Sequence, residues 1–156
     1  MTPLKARECR FAILCSAVFV ATMGPRIASA TLGEPEISVQ ADSAKLQSSV
    51  KMTDQSLYHV HEMTLATGTV VREFAGLDGK VFAVSWHGPY MPNLRQTLGK
   101  YFDVMTTAPR AHADRNHVHI QQGDLVVQNG GHMLSFSGRA YLASAIPAGV
   151  TVGDLH

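Results

Sequence analysis

Beyond its first thirty residues this chain has no cysteine, because both of its cysteines, Cys9 and Cys15, lie in the opening segment. The rest can therefore form no disulfide and no thiolate metal site. It also has neither a cysteine nucleophile nor a CxxC redox pair, and must fold on packing alone. A second long apolar run is missing too. The single run, Phe11 to Met23, falls short of the roughly 20 residues that span a bilayer, so no transmembrane segment is expected once the opening segment is gone. A basic stripe is also lacking. The first thirty residues hold four of the thirteen Lys and Arg and one of the twelve Asp and Glu, leaving nine basic and eleven acidic residues, a formal net charge of −2. Nucleic acid is thereby excluded as a partner, since neutralising phosphates takes clustered Lys and Arg. There is no internal repeat, no low-complexity stretch, no Gly-x-Ser-x-Gly elbow and no phosphate-binding glycine loop. Ser135-Phe136-Ser137-Gly138 lacks the first glycine of the elbow.

What is present begins with an address. Lys5, Arg7 and Arg10 precede the apolar run, and Ala28-Ser29-Ala30 supplies the small-x-small pattern read by signal peptidase. Residues 1–30 are expected to be a cleavable signal peptide, so the protein is expected in the periplasm or outside the cell. Residues 31–40, with Gly33 and Pro35, read as an exposed N-terminal arm, and residues 41–156 as a single domain.

Along that domain, Asp42 can cap a short N-terminal helix from Ser43 to about Val50, and Met52 to Ser56 reads as a turn. Three strands follow: Leu57 to Leu65, Thr69 to Ala75 and Lys80 to His87. Asp78-Gly79 is the clearest hairpin signal of the chain. Strict alternation places Phe82, Val84 and Trp86 on one face, with Trp86 in the core. Leu94, Leu98, Tyr101, Phe102 and Met105 recur at intervals of three and four, which predicts one amphipathic helix ending near Thr107. After a polar loop, His117 to Ile120 and Asp124 to Gln128 read as strand pieces. Asn129-Gly130-Gly131 reads as a tight turn and His132 to Leu142 as the return strand. The expected class is α+β: an antiparallel sheet, comprising a three-stranded meander and a C-terminal hairpin, packed by one main amphipathic helix and a short N-terminal helix.

Several segments together resemble a bacterial family known as domain of unknown function 2844. They are His61-Glu62, Gly68 to Phe74, Gly79 to Trp86, Gly88-Pro89, Pro92-Asn93-Leu94, Leu98-Gly99 and Tyr101-Phe102. The likeness continues in Gly130 to Met133, Gly138 to Tyr141 and Pro147 to Val150. The resemblance implies an export signal ahead of one small domain, and it brings no activity to transfer.

The eight histidines all lie beyond residue 30. His59 and His61 are two apart on an expected strand, as are His117 and His119, so each pair offers two imidazoles from one face. With a third ligand, for which His132, His87, His112 or Glu62 are candidates, either pair could hold a metal such as zinc. His61-Glu62 is not a zinc-protease motif, because Leu65 stands where the second histidine belongs. Arg139, between small neighbours, could reach a carboxylate or phosphate, and Tyr90, in a loop between Pro89 and Met91, is a surface candidate for a ligand or partner. No catalytic residue and no cofactor site is assigned. The sequence thus favours an exported, non-enzymatic binding or envelope-associated protein whose partner is another exported protein, a peptide or a small ligand. The alternative is a small metal-dependent or hydrolytic protein that uses surface histidines.

Overall fold

The computed structural model describes residues 31–36, 50–109, 112–114 and 117–156, the backbone alone in 112–114. The expected signal peptide lies outside the described residues. So do the remainder of the expected arm and the expected N-terminal helix, except for Val50.

Eight antiparallel strands form one sheet. Val50–Asp54 is β1, Tyr58–Thr64 β2, Val70–Gly76 β3 and Val81–Gly88 β4. His112–Asp114 is β5, His117–Gln122 β6, Leu125–His132 β7 and Ser135–Leu142 β8. The order across the sheet is β1-β2-β3-β4-β8-β7-β6-β5. Two four-stranded meanders therefore meet where β4 pairs with β8, with Val84 opposite Ala140 and Ser85 opposite Arg139. Between them run two short helices, α1 (Leu94–Leu98) and α2 (Tyr101–Thr107).

The expected α+β layout, a three-stranded meander and a hairpin under one main helix, is thus corrected to an extended sheet with two short helices. The residues of the apolar stripe do pack on the sheet, Leu98 fully buried and Leu94, Tyr101, Phe102 and Met105 against it. The helix itself is broken at Gly99, whose backbone takes φ 50°. A Cβ there would collide with the methyl group of Thr31. Thr31 sits there because residues 31–36 are not an exposed arm. Leu32 is fully buried, Gly33 N donates to Val81 O and Val81 N to Glu34 O, and Pro35 bridges to Lys80. The segment continues the sheet beside the start of β4, beyond the reach of β8.

Two further expectations are corrected. Residues 52–54 belong to β1 instead of a turn, and Asn129-Gly130-Gly131 lies inside β7. The turn between β7 and β8 falls at Met133-Leu134, where Leu134 has φ 65°.

Each face of the sheet carries its own core. On the helix-covered face Met63, Val71, Val81, Val84, Trp86, Ile120, Val127 and Leu142 pack together. On the other face Phe74, Phe82, Ala83, Val126 and Tyr141 are covered by Leu155, with Ile146, Val150 and Val152 around them. Phe82 was expected to share a face with Val84 and Trp86. A β-bulge moves it: Phe74 is opposite Ala83 but Ala75 is opposite Val81, so Phe82 is the extra residue and turns to the opposite side. There it meets Phe74 and Tyr58 at ring-centroid distances of 6.3 and 6.1 Å.

Candidate functional site

The C-terminal segment covers only part of the second face, and the uncovered part is a groove. Cross-strand registers show how it is built. One row runs Val60, Phe74, Ala83, Tyr141, Val126 and lies under the C-terminal cover. The next row on the same face runs Glu62, Arg72, Ser85, Arg139, Gln128, His119 across six strands. Beyond it come Val70, His87, Ser137, Gly130 and His117. The face thus changes from apolar to polar within one step of the pleat. The second row from Arg72 to His119 and the third row form the floor of a groove of about 870 Å³, which His132 and His156 also line.

The two arginines are held in place. Arg72 Nε donates to Glu62 Oε2 at 2.7 Å, both side chains about a third exposed. Arg139 is half-buried; its Nε donates to Gln128 Oε1 at 2.7 Å and its Nη1 to Val152 O at 2.6 Å. Between them Ser85 is buried, and the small residues Ser85, Ser137 and Gly130 leave the middle of the floor low. Beneath this floor Gly138 presses on Trp86, with the site of an added Cβ 2.5 Å from the indole. Among the described side chains, no Asp or Glu lines the groove. Two carboxylates beside it are engaged elsewhere: Glu62 on Arg72, and Asp154 on the backbone N–H and hydroxyl of Thr151. Those two bonds, the backbone one first, hold the Asp154 carboxyl below the usual range for aspartate.

The candidate metal ligands do not form one constellation. His59 and His61 lie on the helix-covered face of β2, each bonded to a carboxylate. His59 Nδ1 is 2.7 Å from Asp54 Oδ1, and His61, 3% exposed, places Nε2 2.6 Å from Glu36 Oε1. His61 thus ties residues 31–36 to the sheet. His117, His119 and His132 are on the opposite face at the groove, and β6 is five strands from β2, roughly 24 Å at about 4.8 Å per strand. Among the described residues no three His, Cys, Asp or Glu side chains lie close enough together to hold a metal ion.

Arg139 belongs to the groove. Tyr90 does not: it is 54% exposed, and its backbone is anchored by Thr69, whose Oγ1 donates to Tyr90 O at 2.7 Å. Trp86 is core, 2% exposed. Sequence reasoning missed Arg72, Ser85, Ser137, Gln128 and His156 as groove residues, and placed His87 only among the possible third metal ligands. A signal was available in polar residues spaced two apart: Ser135, Ser137 and Arg139 on β8, Gln128, Gly130 and His132 on β7. Arg72 forms a cross-strand ion pair with Glu62.

A family model described as protein of unknown function (DUF2844) matches residues 28–155. No curated protein and no solved structure matches the chain significantly. The match extends over most of the sequence, and the chain belongs to this family.

Proposed function

We propose that this family member is an exported, non-enzymatic binding module that holds a small ligand in the groove of its eight-stranded sheet. The observation that carries the reading is the abrupt change from apolar to polar rows on one face, at the edge of the C-terminal cover. A sheet face that only had to pack would be apolar throughout, and one that only faced water would not be recessed. The groove volume of about 870 Å³ falls within the roughly 300–1,000 Å³ of small-molecule pockets. Among the described residues no hydrogen bond joins a serine to a histidine in the groove, so a paired nucleophile and base does not favour hydrolysis. Export is supported by the basic, apolar and small-residue pattern of the first thirty residues.

The test uses protein recovered from an exported compartment under native conditions. Mass spectrometry should find a co-purified small molecule of fixed mass, and Ser137→Trp, which fills the groove from an exposed floor position, should expel it. A parallel screen of small molecules can be read by the fluorescence of Trp86, the only tryptophan. Protein that carries nothing and responds to nothing in that screen overturns the reading.

A further inference from the structure

Among the described residues, no opposite charge answers Arg139. Its two bonds go to a side-chain amide oxygen and a backbone carbonyl, both neutral. No carboxylate among the described residues, the terminal one included, lies within ion-pair reach of it. A guanidinium has five N–H donors. Two are used here, leaving three, on Nη1 and Nη2, without a partner among the described residues. Partly burying a cation without a counter-charge costs free energy, and the fold keeps that cation in a recess. Gln128 occupies Nε and Val152 one proton of Nη1, which leaves Nη2 and the second Nη1 proton for a ligand. Two strands away, roughly 10 Å at Cα, Arg72 pairs with Glu62 through Nε alone, so its Nη nitrogens have no partner among the described residues. Ser85 lies between the two in register and is too small to fill the gap.

We infer that the groove is an anion site in which Arg139, assisted by Arg72, takes a compact oxyanion over Ser85. The ligand class is a small molecule that carries a carboxylate or a phosphate. The planar edge of a guanidinium pairs with either group through two parallel hydrogen bonds. This inference rests on the groove being the binding site and adds the chemistry of its ligand.

The test is calorimetric titration of the protein with inorganic phosphate, with citrate and, as the neutral probe, with glucose. At low ionic strength at least one anion should bind saturably, and more weakly as salt is added. Arg139→Gln should weaken that binding about ten- to hundredfold, the usual loss for a charged hydrogen-bonding partner. Arg139→Lys should restore part of it. Phosphate binding without citrate binding assigns the phosphate class, and the converse assigns the carboxylate class. Arg139 also holds Val152, so its loss could loosen the fold. Arg72→Gln, at a side chain one-third exposed, serves as the second variant and should weaken binding severalfold. Anion binding unchanged in both variants overturns the inference. Failure of both anions to bind folded protein also overturns it. In that event a neutral ligand from the Trp86 screen leaves the binding-module reading standing, and silence from every probe removes both.

Discussion

Gly138 has no room for a methyl group. It stands between Trp86 on β4 and Asn129 on β7, and a Cβ would come 2.5 Å from the indole and 2.7 Å from the carbonyl oxygen of Gln128. The glycine is therefore what lets a tryptophan lie flat under the central strands, below the groove floor. Gly138→Ala should cost about 1–3 kcal/mol, the range for overpacking a core. Urea unfolding followed by Trp86 fluorescence measures it, and a change below about 0.5 kcal/mol would show that the indole moves aside freely. Leu134 is the opposite case, an ordinary residue in a conformation that favours glycine, exposed with Met133 at the tip of the β7–β8 turn. Neither neighbour has turn chemistry, whereas Gly130-Gly131 has it two residues earlier. That is why the turn was expected in the wrong place.

At the scale of elements, the C-terminal 3-10 turn, Val152–Asp154, is closed by a capping box between Thr151 and Asp154. This turn delivers Leu155 to the second core and the Val152 carbonyl to Arg139. The Asp154 carboxyl is held below its ordinary range by the Thr151 bonds. Its contribution to folding is therefore fully present above the ordinary aspartate value, about pH 4, and is lost as pH falls through the lowered folded value. The protection factor of the Leu155 amide should fall in acid more than those of the rest of the core. Asp154→Asn should remove that acid-dependent step; an identical acid profile in the variant would refute the assignment. The central strands were legible because burial on one or both faces gave alternating or continuous apolar runs between glycine turns. Strand β1 was not, because it is an edge strand exposed over most of its length and so carries no burial pattern. The helix was legible as a stripe, but its break at Gly99 depends on Thr31, sixty-eight positions earlier in sequence. Of the groove, Arg139 and the histidines were visible as residues. Their partners Arg72 and Ser85 were not, because only the pairing of β4 with β8 brings those strands together.

For the molecule as a whole, cohesion between the layers runs through residues 31–36. Leu32 is fully buried, its backbone N–H donates to Thr97 O on α1, and the residues after it hydrogen-bond along β4. His61 adds a bond from β2 to Glu36. Leu32→Ala should cost about 2–5 kcal/mol, as for other buried leucines. It should lower the urea midpoint without changing the slope, provided that sheet and helices unfold as one unit. A second, earlier transition would instead show that the helices detach alone. The seam between the two meanders also sets an order in time. Within each meander neighbouring strands pair across short turns. At the β4–β8 seam the paired residues stand 48 to 58 positions apart. Closing so long a loop costs chain entropy that only the completed seam returns. The groove is built across that seam, with Arg72 on one side and Arg139 on the other. Either half could complete its own hairpins first, and the site would come into being only when the two halves join.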